Sequence, residues 1–109
     1  MSQVVVVVTL HCKPGKEDAM RAALTAGSAE THEEDGCLVY AMHQAVDDPS
    51  HFAIVETWAS QAHLDAHLAL PEVGELIATL DGLAAEQPAF RIYAPLPAGD
   101  PEKGTLARA

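Results

Sequence analysis

The stretch VVVVVTL, residues 4–10, decides the fold class. Successive side chains of a β-strand point to opposite faces of its sheet. One face of this strand therefore carries Val5 and Val7, and the other carries Val4, Val6, Val8 and Leu10. A strand with one wet face would alternate apolar and polar residues, so this run predicts a strand that needs cover on both faces.

Composition limits what can supply that cover and which partners the chain can have. The 109 residues, 49% of them hydrophobic and 20% charged, fit one globular domain. Sixteen acidic residues against six basic ones give a formal net charge of -10. A surface this negative repels phosphate backbones and anionic lipid, so we expect no nucleic-acid or membrane partner.

The apolar run at the N-terminus and the two cysteines indicate a cytoplasmic protein. The run is short, β-branched and without a basic flank, unlike a signal peptide, and nothing approaches the roughly 20 apolar residues of a membrane span. Cys12 and Cys37 stand alone in apolar settings, which favours free buried thiols over a disulfide or a metal site.

The segment after the first strand predicts a helix followed by a hairpin. Pro14 and Gly15 break the strand, and acidic residues open a helix that runs to about residue 34, with Gly36 as a left-handed cap. The inner face of this helix carries small residues, so the helix either lies very close to the sheet or leaves space. Residues 37–44 and 51–59 then read as two strands joined by a short polar turn.

The last third of the chain predicts two helices and a final strand. Ser60 caps a short helix, and Pro71 begins a second helix with an apolar stripe. Pro88 ends it, and residues 89–94 form the last strand. We expect residues 1–96 to be one domain, followed by a tail, residues 97–109, that is mobile unless it docks.

The resulting order, βαββαβ, is the α+β ferredoxin-like arrangement, an antiparallel sheet with helices on one face. Because the other face also carries valines, an open sheet would be prone to aggregate. The simplest cover is the same face of a second copy, so the sequence predicts a two-fold homodimer.

Several segments resemble one known family. KPGKED (residues 13–18), DGC-x-x-Y (residues 35–40) and E-x-W (residues 56–58), followed by a short His-bearing helix, are similar to the antibiotic biosynthesis monooxygenase (ABM) family. The resemblance covers residues 3–95 and implies a dimeric α+β barrel, in which two ferredoxin-like sheets pack face to face. The pattern is more specific for the fold than for the function.

The family includes cofactor-independent monooxygenases, quinol monooxygenases, haem-degrading enzymes and an isomerase of a sugar phosphate. The haem-degrading members use an Asn on the first strand and a His ligand in the last long helix. This chain has Val8 and Ile77 near those positions and no Asn anywhere, although it keeps Trp58. The resemblance therefore implies no haem, and the isomerase matches chiefly through a His at position 67.

The main site candidates are His67, Trp58 and Glu56. His67 lies on the apolar stripe of its helix, so it is either a core histidine bound to a backbone carbonyl or a general base or hydrogen-bond donor. Trp58 is a core aromatic or an indole wall for a planar substrate. Glu56 shares the face of Trp58 and needs a partner, and a structural link to Arg91 or a helix terminus is favoured over catalysis.

Other polar and aromatic side chains are candidates for the lining of a pocket between the helices and the sheet. As substrate-binding residues we predict Tyr40, Tyr93, His11 and Glu56, with His67 and Trp58 as the catalytic pair. His63 and His67 lie one helical turn apart, as in some zinc sites, but no Glu completes the metalloprotease pattern. With no nucleotide-binding loop either, we expect no metal and no organic cofactor.

Two functions of different classes remain open. The first is a cofactor-independent monooxygenase that acts on a hydroxylated aromatic or quinol-type molecule in a dry pocket with a base and an oxyanion donor. The alternative is a non-catalytic dimeric protein of the same fold that binds a small molecule or acts in stress responses. An isomerase is a weaker possibility. The fold alone does not choose among them.

Overall fold

A computed structural model describes residues 2–109 of the chain. Its elements follow one another in the order β1 (Val4–His11), α1 (Glu17–His32), β2 (Cys37–Gln44), β3 (His51–Trp58), α2 (Gln61–Leu68), α3 (Pro71–Leu83) and β4 (Ala89–Tyr93). This confirms the predicted ferredoxin-like order, with the second helical segment divided in two. No helix in the described part of the chain is both long and apolar enough to cross a bilayer.

The four strands form one antiparallel sheet in the order β2-β3-β1-β4. The register places Val6 beside Glu56 of β3 and Ile92 of β4, while Val7 lies beside Val55 and Arg91. Because side chains alternate, every residue of the sheet is assigned to one of two faces. We call the face that carries Val6 the helix face and the face that carries Val7 the open face.

The core lies between the helix face and the helices. Its fully buried side chains include Val6, Met20, Trp58 and Leu64. Helix α1 approaches α3 closely at Gly27, where a Cβ atom would lie 2.6 Å from Cδ2 of Leu76. The small residues of α1 thus permit a close contact with α3, which the sequence alone did not predict.

The turn between α1 and β2 differs slightly from its prediction. Helix α1 ends at His32, two residues before the expected position, and Glu33 is its C-cap. Gly36 has a φ angle of 81°, the left-handed conformation expected of it, but it lies in the turn that leads into β2. The early end of the helix leaves Glu34 outside it, in the turn that leads to β2.

The open face is covered at one end by the chain after residue 96. The hydroxyl of Thr57 donates a hydrogen bond to the carbonyl of Leu106 at 2.9 Å. Arg108 and Gln3 exchange two hydrogen bonds between the Gln3 amide and the Arg108 backbone. The middle of this face remains only half-buried, as shown by its apolar residues Val7, Val39, Ala41, Ala53 and Val55.

Candidate functional site

A cavity of about 360 Å³ lies between the helix face of the sheet and helices α2 and α3. Most of its wall is apolar, with Ile54 and Phe90 from the sheet and a row of side chains from α3 that consists of Val73, Leu76, Ile77 and Leu80. Five polar side chains also line it: Tyr40, Glu56, His67, Asp81 and Gln87. An apolar cavity with a few convergent polar groups is typical of a small-molecule site.

His67 is held in place by its helix and by a carboxylate. Ser60 begins α2 by accepting a hydrogen bond from the backbone N–H of His63, and His67 follows one turn later, with 4% of its surface exposed. The Nδ1 atom of His67 lies 2.8 Å and 3.0 Å from the two carboxylate oxygens of Glu34. The partner of His67 is thus a carboxylate, and not the backbone carbonyl that one of the two alternatives supposed.

The other ring nitrogen of His67, Nε2, is open to the cavity. Within residues 2–109 no side chain or backbone atom hydrogen-bonds to Nε2, and no buried side-chain nitrogen or oxygen is left without a partner. Nε2 is therefore accessible from the cavity that His67 lines. An imidazole fixed by a carboxylate at one nitrogen and free at the other has the arrangement of a positioned general base.

Glu56 and Trp58 form a hydrogen-bonded pair beside His67. The indole Nε1–H of Trp58 donates to Oε1 of Glu56 at 2.8 Å, and the Trp58 ring centroid lies 4.6 Å from that of His67. Burial raises the pKa of the Glu56 carboxyl to about 7, and the nearby charge of Glu34 adds to the rise, while the hydrogen bond from Trp58 opposes it. Glu56 can therefore gain or lose a proton near neutral pH.

Tyr40 completes the polar part of the cavity wall. Its ring centroid lies 6.0 Å from that of His67 in an edge-on arrangement, and its side chain is buried. Burial raises the pKa of the Tyr40 phenol well above its usual range, and the charge of Glu56 contributes to the rise. The phenol therefore stays neutral at physiological pH and can donate a hydrogen bond to a ligand oxygen.

The structure brings some of the predicted site residues together and leaves others apart. His67, Tyr40 and Glu56 line the cavity, and Trp58 lies fully buried behind His67. Tyr93 lies on the open face beside Val5. His11 pairs across the strands with His51 on that same face. The structure does not bring Tyr93 or His11 to this cavity, because their strand positions point their side chains away from the helices.

Arg91 also lies on the open face, since its strand partner is Val7. The suggested link between Glu56 and Arg91 is therefore wrong, and Trp58 supplies the hydrogen bond to Glu56 instead.

Glu34 is the site residue that sequence reasoning missed. It belongs to the acidic run Glu33–Asp35, which reads as a solvated turn, and only the folded chain shows that it reaches His67. The only sequence signal that pointed to such a residue is the buried position of His67, because a buried imidazole requires a polar partner. That requirement does not say which of the neighbouring carboxylates meets it.

The histidines at positions 63 and 67 turn towards different partners. Nδ1 of His63 lies 2.7 Å from the hydroxyl of Ser60, and its Nε2 lies 3.5 Å from a carboxylate oxygen of Asp35. His67 contacts Glu34. The one group of side chains in residues 2–109 with the spacing of a metal site lies elsewhere, on the open face, and consists of His11, Asp48 and His51.

Comparison with known proteins places the chain in a family. Residues 3–79 match the family described as antibiotic biosynthesis monooxygenase. No match was found among curated proteins. Because the family match spans well over half of the 109 residues, the chain belongs to the antibiotic biosynthesis monooxygenase family.

Solved structures agree with this assignment. A Deinococcus radiodurans protein provisionally named an antibiotic biosynthesis monooxygenase is 30% identical, with 89% of this chain and 96% of that chain covered and a TM-score of 0.82. Rv0793 from Mycobacterium tuberculosis is 28% identical over 91% of this chain and 100% of that chain, with a TM-score of 0.83. A Bacteroides thetaiotaomicron protein of unknown function, 19% identical over 85% of this chain and 97% of that chain, shares the fold with a TM-score of 0.80.

Proposed function

We propose that the protein is a cofactor-independent monooxygenase that oxidises a hydroxylated aromatic or quinol-type small molecule. The observation that carries the proposal is the convergence of His67, Glu56 and Tyr40 on one apolar cavity. Membership in the antibiotic biosynthesis monooxygenase family and the name of the Deinococcus relative support the same reaction class.

The proposed reaction begins with removal of a proton from the substrate. Nε2 of His67 takes the proton from a phenol or from an activated ring carbon, and Glu34 stabilises the imidazolium that forms. The resulting electron-rich anion transfers an electron to dioxygen, and the two radicals combine. One oxygen atom stays on the ring carbon as a carbonyl, and the other leaves as water with two substrate hydrogens, so the substrate supplies all the electrons.

Glu56 and Tyr40 would stabilise the charge that develops on the substrate oxygen. With a pKa of about 7, Glu56 is partly protonated at neutral pH and can donate a hydrogen bond to that oxygen or return a proton to the peroxide. The neutral phenol of Tyr40 can act as a second donor. The aliphatic side chains of α3 would lower the polarity of the cavity around the anion.

We also propose that two copies of the chain pair through the open face. Support comes from the half-buried apolar residues in the middle of that face, which resemble half of a core. The cavity lies on the helix face, so each copy would keep its own site.

The test is oxygen uptake with a panel of quinols and anthrones, using the native protein and a His67→Phe variant. The ring of Phe stays on the buried stripe of α2, so we expect the variant to fold while turnover falls by about 10²- to 10⁴-fold, the usual contribution of a positioned base. His63→Phe is the matched control, because His63 lies on the same helix and does not line the cavity.

Two outcomes would overturn the proposal. Full activity in a stably folded His67→Phe protein removes His67 from the mechanism. Binding of the aromatic compounds without protein-dependent oxygen consumption indicates a binding protein of the same fold. Melting temperature measured on the same samples separates loss of activity from loss of structure.

A further inference from the structure

A second cluster of chemically active side chains lies on the opposite side of the sheet from the cavity. It joins three segments: His11 at the end of β1, Asp48 in the turn between β2 and β3, and His51 at the start of β3. His11 and His51 are direct partners in the antiparallel register, so their side chains share the open face. Neither histidine belongs to the proposed oxygenase site.

The two imidazoles are stacked in parallel. Their ring centroids lie 4.1 Å apart with an interplanar angle of 3°, and Nε2 of His51 lies 3.3 Å from a carboxylate oxygen of Asp48. An imidazole nitrogen binds a metal ion in the plane of its ring, so two stacked rings do not point at one common ion. The more exposed ring, that of His51, must turn out of the stack about its χ1 and χ2 angles before both rings can bind the same ion.

Asp48 and His11 are each fixed by further hydrogen bonds. The other carboxylate oxygen of Asp48 accepts hydrogen bonds from the backbone N–H and the hydroxyl of Ser50, at 3.0 Å and 2.7 Å. Nδ1 of His11 lies 2.7 Å from Oε1 of Glu86, which leaves Nε2 of His11 as the nitrogen that can bind a metal ion. A histidine bound to a carboxylate through one nitrogen is the usual state of a metal ligand, because the carboxylate fixes the ring and its tautomer.

Against the expectation from the sequence that the chain holds no metal, we propose that His11, Asp48 and His51 bind one divalent transition-metal ion, with Zn²⁺ as the best fit. Each of the three offers a ligand atom, and these atoms lie within 4.8 Å of one another. Two ligands of a tetrahedral zinc ion with bonds of about 2.0–2.1 Å lie roughly 3.4 Å apart, a spacing that the three side chains can reach once the His51 ring turns out of the stack.

Two imidazoles and one carboxylate favour zinc, nickel or copper over magnesium or calcium, which prefer oxygen ligands. Water can take the fourth position, because the side chains of His11 and His51 are 33% and 50% exposed. The formal charge of -10 on the chain also favours cation binding.

The experiment is calorimetric titration of the tag-free, chelator-treated protein with Zn²⁺. We expect one ion per chain and a rise in melting temperature on binding. His11→Gln and His51→Gln should each weaken binding at least as strongly as loss of the supporting carboxylate in Glu86→Gln, which we expect to cost about 10- to 100-fold. His43→Gln is the matched control, since His43 lies on the same face without belonging to the cluster.

A second measurement on the unmodified protein keeps the test independent of how the variants fold. Imidazole ¹⁵N resonances of the six histidines, followed by NMR during zinc titration, should shift for His11 and His51 and stay in place for the other four. The proposal is overturned if zinc does not bind stoichiometrically, if binding survives both histidine substitutions, or if other histidines shift instead. None of these results bears on oxygen uptake at the cavity.

Discussion

Glu56 connects the site to the pH dependence of folding. Its pKa of about 7 in the folded chain lies above its ordinary value of 4.5, so the folded state holds this proton more tightly than the unfolded state does. The stability contributed by the protonated carboxyl is complete below pH 4.5 and is lost as the pH rises through about 7. A shift of this size corresponds to about 3 kcal/mol.

We therefore expect Glu56→Gln to remove this part of the pH dependence. Urea unfolding of the native protein and the variant between pH 4.5 and 8 should give free energies of unfolding that diverge as the pH rises, with the variant more stable at the alkaline end. Glu102→Gln, at an exposed position, serves as the control. Parallel curves for the native protein and Glu56→Gln would contradict the assignment of this titration to Glu56.

Glu34 acts on two groups of the site at once. Its charge raises the pKa of Glu56, and its carboxylate holds Nδ1 of His67. We expect Glu34→Gln to lower the pKa of Glu56, because one source of repulsion is removed, and to reduce turnover by loosening His67. Carboxyl ¹³C titration by NMR follows Glu56 directly. Glu33→Gln is the control, and an unchanged Glu56 pKa in Glu34→Gln would refute the coupling.

For single residues, the sequence predicts which face of an element a side chain lies on better than it predicts which residue that side chain hydrogen-bonds to. His67, Tyr40 and Glu56 could be placed on inward faces from the spacing of their apolar neighbours. The partner of His67 could not, because Glu34 is one of three consecutive acidic residues and the end of α1 decides which of them turns inward. Helix ends are the least predictable part of an element.

Among the secondary-structure elements, the contact between α1 and α3 makes a prediction about glycine. Replacing a helical Gly by Ala stabilises a helix by roughly 0.5–1 kcal/mol when the site has room. A Cβ atom added to Gly74 in α3 would have no other atom within 4 Å, whereas one added to Gly27 in α1 would meet Leu76. We expect Gly74→Ala to raise the free energy of unfolding and Gly27→Ala to gain less or to lose stability.

Thermal or urea unfolding of the two variants decides this point, because each serves as the control for the other. Equal stabilisation by Gly27→Ala and Gly74→Ala would show that Leu76 moves aside without cost and that the two helices are not closely packed at Gly27.

Strand β4 shows why a strand can be predicted correctly while the direction of its side chains is not. The sequence places this strand within one residue of its observed bounds. However, AFRIY is apolar or amphipathic at nearly every position, and all five residues are exposed, so no alternation distinguishes the two faces. Pairing with β1 turns Phe90 towards the helices and Tyr93 away from them. The register depends on how two strands pair, so it cannot be read from the sequence of one strand alone.

For the whole molecule, the open face predicts self-association. If two copies pair there, sedimentation at micromolar concentration should show a dimer, and a charge placed at Val55 in the middle of the face should shift it towards monomer. Val55→Lys is compared with Ala22→Lys on the exposed side of α1. A well-folded native monomer at that concentration would refute the dimer.

The antiparallel ferredoxin-like architecture was predictable because the valine run, the turn residues and the element order all favour one arrangement. The course of the chain after residue 96 was less predictable. Its Pro, Gly and charged residues are typical of a mobile tail, and only tertiary contacts such as that between Thr57 and Leu106 place it against the sheet. Short polar contacts of this kind leave no periodic signal in the sequence.

The position of Trp58 has a spectroscopic consequence. It is the one tryptophan of the chain, fully buried, and its indole touches both a titrating carboxyl and the proposed base. Its fluorescence therefore comes from a single emitter inside the site, without background from other indoles. Emission intensity that changes with a midpoint near pH 7 would follow Glu56, and quenching by an aromatic compound would report occupancy of the cavity before any reaction is known.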